Sequence, residues 1–102
     1  MGDSISTNIN EEFDPILQSI IRIELLAFFQ ANPHTRDTAK GLALRLNRSR
    51  HQVEVALHAL SALGILEIGT KKLTIYRLRN SKLISDYFQE QSEQGFSAPL
   101  SR

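Results

Sequence analysis

The stretch TAKGLALRLNRSRHQVEVALHALSALGILEIGTKKLTIY, Thr38–Tyr76, decides the fold. Leu42, Ala43 and Leu46 form one apolar face, and Asn47-Arg48-Ser49 breaks its period. Val53, Leu57, Leu60 and Leu63 then resume an apolar stripe at helical spacing. Ser49 suits the start of that second helix, because its hydroxyl can accept from a backbone N–H in the first turn. Gly64 falls where a helix end needs a left-handed residue. Beyond it, Ile65-Leu66-Glu67-Ile68 and Leu73-Thr74-Ile75-Tyr76-Arg77-Leu78 read as paired strands around Gly69-Thr70-Lys71-Lys72.

The flanks complete the pattern. Asp14-Pro15 is a helix start, with aspartate as cap and proline at the first helical position. That helix should run to about Ala31, before Asn32-Pro33, and a loop over Asn32–Asp37 leads into a helix starting near Thr38. Asn80 or Ser81 can cap a last helix reaching about Gln91. Residues 1–12 read as a flexible arm, 13–91 as the folded domain and 92–102 as a disordered tail. The expected class is mainly α with a small β-hairpin (α+β). A helix, a turn, a second helix and a basic hairpin make a winged helix-turn-helix with flanking N- and C-terminal helices, a module that usually reads DNA.

The spacing Leu42-Ala43-x-x-Leu46-x-x-Ser49-x-x-x-Val53-x-x-x-Leu57-x-x-Leu60-x-x-x-Gly64-Ile65-Leu66, closed by Tyr76-x-Leu78, resembles prokaryotic ArsR-like and MarR-like transcriptional regulators. Upstream, Arg22-x-x-Leu25-Leu26-x-x-Phe29 and Pro33 resemble their first helix, so the likeness covers about residues 14–79. The resemblance implies a DNA-binding regulator. In ArsR-like proteins the first and last helices form the dimer, which implies a homodimer here. The chain has no cysteine, so thiolate metal sensing does not carry over.

Charge agrees with a polyanionic partner. Residues 1–33 carry one basic and five acidic side chains, a net −4. Residues 34–79 carry nine basic and three acidic, a net +6, and residues 80–102 carry two and three, a net −1. Positive charge gathers in the part that would meet phosphate. A solvated basic surface is the bland alternative.

Candidate DNA contacts follow from these placements. With Val53 facing the core, steps of about 100° put His51, Val55, His58 and Ala62 on the opposite side, flanked by Glu54 and Ala59. Arg48, Ser49, Arg50, His51 and Gln52 cluster where a recognition helix enters the major groove. Arg50 or Gln52 can bond base edges, Glu54 can accept from a cytosine amino group, and Val55 can touch a thymine methyl. Arg36, Thr38 and Lys40 are expected to hold the backbone beside the positive end of the second helix. Lys71 and Lys72 at the hairpin tip, with Arg77 on the returning strand, are expected to meet phosphate. The Val55, Ala59 and Ala62 face equally suits docking to a protein partner, which leaves an adaptor module as the second reading.

The first helix carries a second apolar stripe, Ile16, Ile20, Ile23 and Ala27, and the last helix offers Leu83, Ile84, Tyr87 and Phe88. Either the last helix packs across the first within one chain, or both form a dimer interface. The second option is the expected one. His51 and His58 stand about 10 Å apart along one helix, too far to share an ion, and no catalytic motif occurs. No enzyme, metal or cofactor is expected. Neither a bilayer-spanning run nor a signal peptide is visible, so the expected location is the cytoplasm.

Overall fold

The computed structural model describes residues 14–92. The expected arm over 1–12 and tail over 92–102 lie outside these residues, apart from Ser92, the last residue of the final helix. Helix α1 is Pro15–Ala31, and the Asp14 carboxylate accepts from the Ile16 amide at 2.9 Å. Thr38 caps α2 (Ala39–Leu46) through the Gly41 amide at 3.0 Å. Ser49 caps α3 (Arg50–Ala62) through the Gln52 amide at 3.2 Å. These are the starts that local side-chain chemistry demands. Between α2 and α3, Asn47 takes the left-handed conformation (φ 56°), which asparagine tolerates better than most residues. Gly64 ends the α3 segment at φ 81°, again left-handed.

The hairpin comprises β2 (Leu66–Gly69) and β3 (Ile75–Leu78), so the turn starts one residue later and ends two later than expected. A third strand, β1 (Arg36–Asp37), pairs antiparallel with β3, giving sheet order β1-β3-β2. The expected loop over 32–37 thus ends in a two-residue strand, too short to show a period. Helix α4 is Lys82–Ser92, and the Asn80 side chain accepts from the Lys82 amide at 2.9 Å. The structure is mainly helical with a small antiparallel sheet, an α+β arrangement.

The core joins α1, α2, α3, the sheet and α4. Leu25, Leu26 and Phe29 of α1 meet Leu42, Val53, Leu57 and Leu60 there, with Ile65, Tyr76 and Ile84 closing the cluster. Leu63 departs from expectation. At about 100° per residue it has drifted to the edge of the Val53 stripe, and it is 62% exposed.

Candidate nucleic-acid interface

The N-terminus of α2 is occupied by the chain itself. The Asp37 carboxylate accepts from the Thr38 amide at 2.7 Å, and the Thr38 hydroxyl accepts from the Gly41 amide. A Cβ at residue 41 would lie 2.2 Å from Asp37 Oδ1, so glycine makes room for this cap. Asp37 also accepts from Arg45 Nε at 3.2 Å. An acid at the positive helix end already satisfies the dipole. This corrects the expected anion site formed there by Arg36, Thr38 and Lys40. Thr38 is a cap, Arg36 sits on β1 opposite Arg77, and of the three only Lys40 remains exposed on α2.

Arg48 is also redirected. Its Nε and Nη2 donate to the two Glu24 oxygens, each at 2.8 Å, tying the α2–α3 turn to α1. These bonds hold the Glu24 carboxyl below its ordinary range and the Arg48 guanidinium above its own, each against a desolvation cost. Nearby, the Gln18 side-chain amide donates to the Gln52 carbonyl at 3.0 Å. The turn is fastened to α1 by polar contacts as well as by packing, and Arg48 reads as a clasp rather than an outward contact. Nothing in the local sequence pairs Glu24 with Arg48, because 24 residues separate them.

Helix α3 carries the remaining candidates. Arg50, His51 and His58 are exposed, while Gln52, Glu54 and Val55 are half-buried. Arg50 and Glu54 approach to 3.5 Å within the helix, a weak solvent-screened pair. His58 Nε2 lies 3.1 Å from the Tyr76 hydroxyl, a link between α3 and β3 that sequence reading missed. Burial pushes the Tyr76 phenol above its usual range; Glu54 adds to this and Arg50 opposes it. Between α3 and the hairpin lies an open groove of about 570 Å³, lined by Lys40, Arg50, Glu54, His58, Ile68 and Tyr76 among others.

On the hairpin, Lys71 and Lys72 are exposed. Arg77 pairs with Glu67, its cross-strand neighbour, and Arg79 approaches the same carboxylate at 3.4 Å. Arg36, Lys40, Lys71 and Lys72 have no ion-pair partner among the described residues. Strand alternation alone would have shown Glu67 facing Arg77 once the register was known.

The two flanking helices part company. Ile84 and Tyr87 of α4 are buried within one chain, and Arg22 Nε donates to the Tyr87 hydroxyl at 3.2 Å. Leu83 and Phe88 are partly buried against the same core. This corrects the expected role of α4: Ile84 and Tyr87 complete the chain's own core and have almost no surface left for a partner. On α1, Ile16, Ile20 and Ile23 are 72%, 42% and 45% exposed, and Ala27 lies exposed on the same stripe.

Among the described residues, no three His, Asp or Glu side chains converge on a point that could hold a metal ion. No helix there is long and apolar enough to cross a membrane. Compared with known proteins, the chain matches no family model, no curated protein and no solved structure.

Proposed function

We propose that this chain is a winged-helix DNA-binding protein, a transcriptional regulator that reads double-stranded DNA through α3 and the hairpin. One observation carries the reading. Helix α3 buries Val53, Ala56, Leu57 and Leu60 completely, and turns Arg50 and His58 into an open groove that Lys40 of α2 and the hairpin also line, with His51 exposed on the same helix. A rigid helix with a polar outward face beside cations is what entry into a major groove requires. Arg50 is the leading base contact, Gln52, Glu54 and Val55 its neighbours, and Lys40 a phosphate contact. The exposed stripe Ile16, Ile20 and Ile23 is the surface through which two copies would pair, bringing two α3 helices to a pseudo-palindromic site. The same reading assigns the protein to the cytoplasm.

The test is fluorescence anisotropy with duplex DNA at two salt concentrations. Binding should weaken with a log–log slope of about −0.9 for each phosphate neutralised. Absence of binding at low salt removes the reading.

A second reading has its own support. Ile68 and Leu73 of the hairpin are exposed beside the groove, and half-buried Val55 and Ala59 face outward from α3. An apolar border of this kind suits a protein partner. Val55→Glu or Ala59→Glu would then abolish partner capture, and Arg50→Ala would alter no base preference.

A further inference from the structure

The hairpin separates two faces of unlike chemistry. Tyr76 and Leu78 are buried on the inner side, so pleat alternation turns Ile75 and Arg77 to the outer one. Register gives each its outward neighbours: Arg77 lies between Arg36 and Glu67, and Ile75 lies opposite Gly69. A charged row thus runs beside a shorter apolar one, about 7 Å nearer the turn.

The apolar row is open at Gly69. A Cβ there would meet nothing within 4 Å, so the missing side chain leaves a gap over the strand. The resulting concavity, about 530 Å³, has a floor of Gly69, Leu73 and Ile75. Arg36 and Arg77 border it on one side, and Lys71 and Lys72 on the side of the turn. Leu73 is 63% exposed and lines the α3 groove as well, whereas neither lysine does.

Charge and apolar surface together select the occupant. The one carboxylate beside these four cations, Glu67, is shared between Arg77 and Arg79. Arg36, Lys71 and Lys72 have no ion-pair partner among the described residues. A phosphodiester backbone would meet the cations and leave the apolar floor wet, because its contacts are made through charged oxygens. A polypeptide can cover both, with one large side chain on the floor and carboxylates reaching the rim. Apolar anchors seated in a pocket within a polar border are how protein interfaces concentrate binding energy.

We infer that the outer face of the hairpin docks an acidic segment of another protein, through one large apolar side chain seated between Gly69, Leu73 and Ile75. Carboxylates on either side of that anchor pair with Arg36 and Arg77 and with Lys71 and Lys72. This face is separate from the Val55 and Ala59 side of α3, and the inference does not depend on DNA binding.

The experiment is fluorescence anisotropy of short labelled peptides with the full chain in the absence of DNA. The first peptide carries one phenylalanine between two pairs of glutamates. A second replaces the phenylalanine by serine, and a third replaces every glutamate by glutamine. The first should bind, and the other two should bind at least about tenfold more weakly, because each forfeits half of the match. Gly69→Leu fills the gap at a strand position with room for a side chain, so the variant should keep its denaturation midpoint and bind the first peptide about tenfold more weakly. Leu73→Ser, at an exposed site, should weaken it to a similar degree. No binding of the first peptide at about 1 mM overturns the inference. So does equal binding of the first and second peptides, which would leave a plain polyanion surface, or an affinity unchanged in both variants. The DNA reading survives each of these outcomes, because it is measured separately with duplexes.

Discussion

Arg48 and Arg50 stand two residues apart and look interchangeable in the sequence, yet they belong to regions organised for different ends. Around Arg48, polar side chains close onto the chain itself. Glu24 receives its guanidinium, Gln18 reaches Gln52, and Arg22 reaches Tyr87, so α1 is linked directly to the turn, α3 and α4. Around Arg50, Glu54 pairs weakly within the helix and His58 reaches the Tyr76 hydroxyl, and the groove beside them is open. Closed polar contacts hold a shape, and outward ones are available to a partner. Substitutions in the first region should therefore change stability, and those in the second should change binding.

The largest expected effect lies deep in the closed region. Ile84 is fully buried, and Ile84→Ala should cost about 3 kcal/mol in chemical denaturation, from lost burial plus the cavity left behind. Ile20→Ala on the exposed stripe should cost less than about 0.5 kcal/mol. Ile20→Glu should instead convert a dimer to a folded monomer in sedimentation, because the carboxylate would be buried unpaired between copies. A wild type already monomeric at tens of micromolar would remove pairing through α1.

In the open region, Arg50→Ala should lose about 2 kcal/mol of discrimination at particular base pairs while leaving the denaturation midpoint unchanged. Equal loss on all sequences would demote Arg50 from base contact to phosphate contact.

A smaller effect tests the clasp. Glu24→Gln should lower stability by about 1 kcal/mol, a value kept modest because both partners are partly solvated. The Glu24 carboxyl is held below its ordinary range by Arg48, so its contribution is present above the ordinary carboxylate pKa. It is lost as pH falls through the depressed value. The gap between wild type and Glu24→Gln should therefore be constant near neutrality and close below about pH 4. A gap that widens on acidification would contradict the assignment.

What could be read from the sequence follows from the range of the interactions involved. Asp14, Thr38 and Ser49 announce helix starts because a cap acts over two or three residues, and Gly64 announces an end because few residues accept its φ. The outward side of α3 was legible because helical period separates Val53 and Leu57 from His51 and His58, whereas Arg50 is exposed as the first residue of the helix rather than by period. Long-range pairs were not. Glu24 with Arg48, His58 with Tyr76, and Arg36 opposite Arg77 depend on how distant elements meet. Helix α4 shows the same limit: its apolar side is plain in the sequence, but whether Ile84 fills the chain's own core or a partner's surface depends on the tertiary fold.

The central claim is that α3 reads duplex DNA, and selection from a pool of random duplexes tests it most directly. Wild-type protein at low salt should enrich a defined, pseudo-palindromic sequence, with each mismatch costing about 1–3 kcal/mol in follow-up anisotropy. Retention of all duplexes alike, or of none, would contradict it.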